Sequence, residues 1–433
     1  MKTDSAVTLS RPAPNEKHPA ISPADSSGGL RAFVFVLFFA FGGITSLNDV
    51  LIPKLKLLFT LSYRDVMLVQ SAFFAAYFIV SLPAAALVRR IGYMRSAVVG
   101  LVTMMAGCLL FGPASTHGAF ALFLFALFVL AAGITTVQVV ANPLISMLGA
   151  PATASSRLTF AQAFNSLGTT IFPYVGSALI LGSLATIDPK TLSGGALDVF
   201  RATETRVVVD TYLALAAAIA VLALCVWARR KALVETPAER VPVLRSFDLL
   251  TRPRFAFGAL CIFLYVGAEV AIGSLIVNYL MQASVLGISA EQAGKHVPFY
   301  WGGAMVGRFI GAYLLRIIAP GKVLAAAATT AIGLIAISSN TAGEVSGYSL
   351  LAIGLCNSIM FPTIFTLASQ GLGKRAAEGS GIICMAIVGG AVVPIVTGKA
   401  ADLSNLKWAL VVPAACYAGI VLFGWWANRQ GRA

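Results

Sequence analysis

"ARRKALVETPAERVPVLRSFDLLTRPR", residues Ala228 to Arg254, is the longest polar stretch between two apolar runs of this 433-residue chain. Six apolar segments precede it, at about 31–56, 65–88, 95–112, 118–148, 156–183 and 209–228. Six follow, at about 254–285, 295–318, 321–338, 344–370, 377–400 and 406–428. Crossing a bilayer takes roughly 20 mostly apolar residues in a helix. The composition agrees: 58% of residues are hydrophobic and 11% charged, with mean hydropathy +0.87, against about 25% charged in a soluble domain. Barrel strands would be about ten residues long with strict alternation, and none is visible. The chain therefore reads as an all-α polytopic membrane protein of about twelve transmembrane helices in two halves of six.

The two halves match in register. Asp49 in the first span and Glu269 in the seventh are 220 residues apart, Pro143 and Pro362 are 219 apart, and Pro173 and Pro394 are 221 apart. The implied organisation is a cytoplasmic tail at 1–30, a six-helix domain at 31–228, a linker at 229–253, a second six-helix domain at 254–428 and a short tail at 429–433. The first 30 residues are polar and rich in Pro and Ser, a composition expected to be disordered.

A formal charge of +14 raises the possibility of nucleic acid. Its distribution points elsewhere. With the N-terminus in the cytoplasm, 22 of the 31 Lys and Arg fall on the inner side and nine on the outer. Basic loops stay in the cytoplasm, so both termini are expected inside, and the charge is a topology signal. The six cysteines all lie in apolar runs without a CxxC or metal spacing, and the three histidines lie in the tail or at loop edges. They are expected to be packing residues, with no metal site and no cofactor.

Polar groups inside the spans carry the functional question. "SLNDVLIPKLK", Ser46 to Lys56, places Asn48 beside Asp49 at the end of an apolar run. A carboxylate at the bilayer centre costs about 2.5–3.5 kcal/mol on insertion scales, so Asp49 either ends the span or faces a wet cavity. Glu269, in "YVGAEVAIGS", is its counterpart. Asn48, Gln138, Asn142, Gln162, Asn165, Asn278 and Asn357 are amides in the first, fourth, fifth, seventh and tenth spans. Singly, each can serve as interhelical glue worth roughly 0.6 kcal/mol. Together they could surround a ligand dense in hydroxyls, with Trp301, Tyr300 or Phe361 as the flat surface for a sugar C–H face. Pro143, Pro173, Pro362 and Pro394 are expected to break their helices. Gly303, Gly307 and Gly311, four apart, read as a close-packing face.

These blocks resemble a known family. "LNDVLIPKLK", "ANPLISMLG", "ASSRLTFAQAFNSLGTT", "YVGAEVAIGSLIVNYL", "FYWGGAMVGRFIGAYLL", "NSIMFPTIFTLA" and "MAIVGGAVVPIVTG" are similar to the fucose permease family of the major facilitator superfamily, most closely its glucose/galactose branch. The resemblance implies a secondary transporter in a bacterial inner membrane; a monomer is expected, and no paired acids at a membrane face or nucleophile with a base suggest an enzyme. The transporter would import a monosaccharide with a coupling cation by alternating access. In that family the Asp of "ND" and a Glu of the fourth helix serve proton coupling and sugar recognition. Asp49 matches the first, whereas Gln138 stands at the second. That departure favours glucose or galactose over fucose and shifts part of the role to Glu269. H⁺ is the expected coupling ion and Na⁺ the alternative; an uncoupled facilitator, a fucose-type permease and an efflux carrier also fit the spans.

A gate is expected at the cytoplasmic end. "VRRIGYMR" places Arg89, Arg90 and Arg95 between the second and third spans, and Glu378 opens the eleventh. Either Arg157 or an arginine of that first loop would pair with the opposite half. Glu378, Asp65, Glu291, Glu344 and Asp402 otherwise read as solvated loop-edge carboxylates.

Overall fold

The computed structural model describes residues 27–58, 63–117, 120–180, 194–231 and 242–430, which form helices and turns. The first half comprises α1 (Ser27–Leu58), α2 (Tyr63–Ile91), α3 (Tyr93–His117), α4 (Phe120–Met147), α5 (Ala154–Ile180) and α6 (Gly195–Ala228). A 3₁₀ segment at Val243–Thr251 leads into the second half. There follow α7 (Pro253–Leu280), the short α8 (Ala290–Gly294), α9 (Val297–Ile317) and α10 (Pro320–Asn340). The last three spans are each interrupted: α11 (Gly343–Asn357) with α12 (Met360–Ala368), α13 (Ala376–Ala386) with α14 (Gly389–Leu403), and α15 (Leu406–Ala409) with α16 (Val411–Gln430).

Ten stretches among the described residues are long and apolar enough to cross a membrane. The other two long helices, α5 and α9, are not among them, because Arg157, Gln162 and Asn165 dilute one and Arg308 and Arg316 the other. Those two helices pack on each other between the halves. Their polarity marks an interior interface rather than a lipid face.

The packing repeats itself. In the first half α1 lies on α5, α2 on α4, and α3 on α4 and α6; in the second, α7 lies on α13 and α14, α9 on α11, and α10 on α11 and α16. The halves meet through α2 on α13 and α5 on α9, the second span of each half against the fifth of the other. Even the helix ends repeat. Arg31 Nε donates to the Leu148 carbonyl and Arg254 Nε to the Leu367 carbonyl, each at 2.9 Å. In both halves an arginine of the first helix thus satisfies a carbonyl that the end of the fourth span leaves open. Gly307 belongs to a close-packed face as expected: a Cβ there would lie 2.5 Å from Ser358 Oγ and 2.7 Å from the Leu355 carbonyl oxygen.

Some sequence expectations need correction. Pro143, Pro173 and Pro394 lie inside uninterrupted helices, and the interruptions fall at Ser358–Ile359, Ile387–Val388 and Leu410. Of the four prolines expected to break helices, only Pro362 adjoins one, at the third residue of α12, where a first turn needs no N–H. The sixth span is expected from 209, yet α6 starts at Gly195. Its 34 residues reach about 50 Å at 1.5 Å per residue, so its first turns extend beyond the apolar window; Glu204, within them, is buried. The tail at 1–26 lies outside the described residues.

Candidate functional site

The site is built where α5, α7, α9 and α11 come together. Glu269 is half-buried at the seventeenth of the 28 residues of α7, near mid-span. Its carboxyl contacts the Tyr265 hydroxyl one turn away. That hydroxyl donates to the Asn357 carbonyl oxygen at 3.2 Å, and Tyr300 Oη donates to the Glu269 carbonyl oxygen at 3.1 Å. Asn357, at the end of α11, ties these together. Its Nδ2 donates to Tyr300 Oη and its Oδ1 accepts from Tyr417 Oη, both at 2.7 Å. The break in the tenth span directly follows this residue.

Asn357 is fully buried, with both ends of its amide occupied. A buried donor or acceptor stripped of its partner costs about 1–3 kcal/mol. Asn357→Ala leaves Tyr417 without its acceptor and takes a donor from Tyr300, and its expected effect is a loss of about 1–3 kcal/mol of stability. Thermal unfolding of the purified carrier in detergent checks this; an unshifted transition would show that the hub is dispensable.

Trp301 stands beside this network. Its ring meets Tyr300 edge-on, with centroids 5.1 Å apart, and lies against Gly273, one turn beyond Glu269. It is 44% exposed, the condition for a ring to offer its face to a ligand. Phe361, by contrast, is buried and stacks on Phe365, so it is packing.

Across the interface, α5 carries Gln162, Asn165 and Ser166. Arg308 Nη1, from α9, donates to the Gln162 carbonyl oxygen at 3.2 Å and to Ser166 Oγ. Asn165 Nδ2 donates to the Phe38 carbonyl oxygen at 3.3 Å and so ties α5 to α1. Gln162, Asn165, Glu269, Trp301 and Asn357 thus fall on one group of helices joined through Arg308. Gln138 and Asn142 lie elsewhere on the interface, on α4. Asn142 is buried against Cys384 of α13, and Ser380 of α13 donates to the Val139 carbonyl oxygen at 2.9 Å. Asn278 is exposed, nine residues beyond Glu269 and about 13 Å farther along α7. Asn48 and Asp49 belong to α1, but their side chains lie outside the described residues.

Several buried polar atoms at this interface have no hydrogen-bond partner: Gln138 Oε1, Thr159 Oγ1 and Thr363 Oγ1. Permanent cores seldom leave such groups unpaired. Here they favour any state in which water or a ligand reaches them.

The halves are shut at the end that carries the linker. Arg89 of α2 and Glu378 of α13 form an ion pair at 2.7 Å, with 6% and 4% of their side-chain surfaces exposed. Glu378, expected to be solvated, is therefore buried. Arg375 also donates to it, at 3.1 and 2.7 Å, and reaches Asp248 in the linker segment. The Arg375 hydrogen bond holds the exposed Asp248 carboxyl below its ordinary pKa. Ser155 and Thr366 share a hydrogen bond at 2.6 Å, and Ser156 donates to the Ala312 carbonyl oxygen at 2.6 Å. Among the described residues, Arg157 does not pair with the other half. Its guanidinium donates within its own half to Ser146 O, Ala150 O, Thr153 Oγ1 and Ile145 O. Arg90 is exposed beside the gate.

Residue patterns did not disclose Arg308, Tyr265, Tyr417 or the Ser155–Thr366 seal. For Arg308 a signal existed: it is a charge at the twelfth of the 21 residues of α9.

Comparison with known proteins places this geometry. The family model described as Major Facilitator Superfamily matches residues 33–394. The glucose/galactose transporter of Brucella abortus biovar 1 (strain 9-941) is 47% identical over 418 residues, covering 96% of this chain and 98% of that one. The L-fucose-proton symporter of Escherichia coli (strain K12) is 33% identical, covering 90% and 91%. The crystal structure of the transporter FucP in the outward conformation superposes with a TM-score of 0.85 at 31% identity, covering 93% of this chain and 99% of that one.

Proposed function

The chain belongs to the Major Facilitator Superfamily, and from that premise we propose that it imports glucose or galactose together with a proton, by alternating access. The observation that carries this reading is Glu269, an ionisable carboxyl near mid-span, with Trp301 of α9 packed on Gly273 one turn farther along α7 and Gln162 on α5, which α9 meets across the halves. The similarity to a glucose/galactose transporter and to an L-fucose-proton symporter supports both the sugar and the proton.

In chemical terms, a neutral Glu269 carboxyl can donate to the Tyr265 oxygen while Tyr265 donates onward to Asn357. An ionised one can only accept, and would draw the Tyr265 O–H away from the Asn357 carbonyl. The site therefore has a use for a proton that arrives from one side and departs to the other. Asp49, on the corresponding helix of the first half, is assigned cation coupling; Glu269 is assigned coupling and the holding of sugar hydroxyls. Trp301 supplies the apolar face, and Gln162, Asn165 and Gln138 supply donors and acceptors. The linker face is assigned to the cytoplasm of a bacterial inner membrane by its excess of Lys and Arg. The closed gate there is then the cytoplasmic gate, and Arg89 and Glu378 are its latch.

Gln162→Ala tests the sugar site. Losing one ligand-facing hydrogen-bonding group costs about 1–3 kcal/mol, or roughly 5- to 150-fold in affinity. The expected result is weakened glucose binding in a carrier with an unchanged unfolding transition, with a similar loss in Trp301→Ala. Asn278→Ala, farther along α7, should lose less. Unchanged glucose affinity in both Gln162→Ala and Trp301→Ala would return these residues to packing.

A further inference from the structure

Two arginines crowd one helix end on the linker face. A Cβ on Gly149, just past α4, would lie 2.9 Å from Arg157 Nη1 and 3.2 Å from Arg31 Nη2, so both guanidiniums converge on one residue. Arg157 is largely occupied by carbonyls of this helix end, those of Ile145, Ser146 and Ala150. Arg31 gives only its Nε, to the Leu148 carbonyl oxygen; its two η nitrogens have no hydrogen-bond partner among the described residues. The second half differs here, because Arg254 also donates from Nη2 to Gln370 Oε1. A helix C-terminus presents about half an elementary negative charge. That does not balance two guanidiniums, and like charges so close repel. Asp248 and Glu378, carboxylates at this face, are taken by Arg375 and Arg89.

More cations stand at the end of α6. Arg229 places Nη1 3.2 Å from where a Cβ on Gly29 would lie, in the first turn of α1. Arg230 lies over the Trp227 ring, 4.4 Å from its centroid, and that ring is 47% exposed. Tryptophans with an apolar body and a wet edge settle at headgroup depth in a bilayer. Val221 and Leu224, one to two turns deeper on α6, are exposed and apolar. We propose that Arg31, Arg157 and Arg229 form a site for the phosphate of an anionic lipid, bridging α1, the α4–α5 turn and α6 at the linker face. The phosphate oxygens accept from the η nitrogens of Arg31 and Arg229, an arrangement that guanidinium forks suit. The acyl chains run along Val221 and Leu224. A free phosphate ion shares the headgroup chemistry but makes no use of that apolar track. The second half needs no such anion, since Asp248 and Glu378 come from the chain itself.

The test measures lipids retained by the full-length carrier in native mass spectrometry, with phosphatidylglycerol and phosphatidylcholine offered in equal amounts. The unsubstituted carrier should retain phosphatidylglycerol at least about tenfold over phosphatidylcholine. In Arg31→Gln and in Arg229→Gln the preference should fall to about threefold or less. The Arg229 side chain makes no hydrogen bond among the described residues, so that variant decides the matter if Arg31→Gln does not fold. The paired change Arg245→Gln and Arg252→Gln removes two exposed arginines from the same face and should keep the preference. Excess inorganic phosphate should leave it unchanged; a preference abolished by phosphate would assign the site to a soluble anion and overturn the lipid. An unsubstituted carrier without preference would also overturn the proposal. So would an equal loss in the Arg245 and Arg252 pair, which would make the attraction one of diffuse surface charge.

Discussion

Glu269→Gln abolishes accumulation of sugar against its gradient and also weakens sugar binding: that is the expected result for a residue that both carries the proton and touches the substrate. The amide keeps the shape and one donor but cannot exchange a proton, so the carrier loses the means of using a pH gradient. Asp49→Asn separates the two roles. It should abolish accumulation in the same way yet leave counterflow largely intact, because exchange of sugar for sugar does not require the coupling ion to leave. Both effects are measured in proteoliposomes with labelled glucose. An Asp49→Asn carrier that still concentrates glucose would make Asp49 a solvated residue at a helix end, and a Glu269→Gln carrier with full binding would remove it from the sugar site.

The second large effect is expected at the gate. Arg89 and Glu378 pair across the halves while almost wholly buried. Removing one member of a buried pair costs about 3–5 kcal/mol. In Glu378→Gln Arg89 loses this carboxylate across the halves, a loss that water makes good when the linker face opens, so the closed state bears the cost and the open state largely escapes it. A bias of about 2 kcal/mol or more, roughly thirtyfold in population, should follow. Cys384 is a natural reporter, buried between the halves against Tyr77 and Asn142. With the other five cysteines replaced, an impermeant maleimide applied from the linker face should label Cys384 at least about tenfold faster in Glu378→Gln. An unchanged rate would mean that the seal made by Ser155, Ser156 and Ser380 closes this end without the ion pair.

Most of the fold was legible because it depends on runs of apolar residues, whose length alone marks a span. The repeat was legible from Asp49 and Glu269, and from proline pairs at a common offset. The packing places α1 and α7 in corresponding positions of the two halves. Less of the site was legible. Hydropathy does not report how a helix is rotated, so it could not separate Asn357, sealed among three tyrosines, from Gln162 at the interface. The interruptions at Ser358–Ile359 and Ile387–Val388 carry no proline, and prolines elsewhere were absorbed by continuous helices. Glu378 reads as solvated from its place near a loop, but its neighbour across the halves comes from 289 residues away. Arg308 counted as one more basic residue of the inner side, although its distance from either end of α9 was already visible in the sequence.

The central claim is that a proton gradient drives sugar through the interface between the halves. It is tested most directly by labelled D-glucose uptake into vesicles holding the unsubstituted carrier, with an inward pH gradient imposed in the absence of Na⁺. The predicted result is an overshoot, with internal glucose rising above the external concentration and relaxing as the gradient decays; excess galactose should compete it away. Glucose that only equilibrates, or an overshoot that appears solely with an inward Na⁺ gradient, would contradict it.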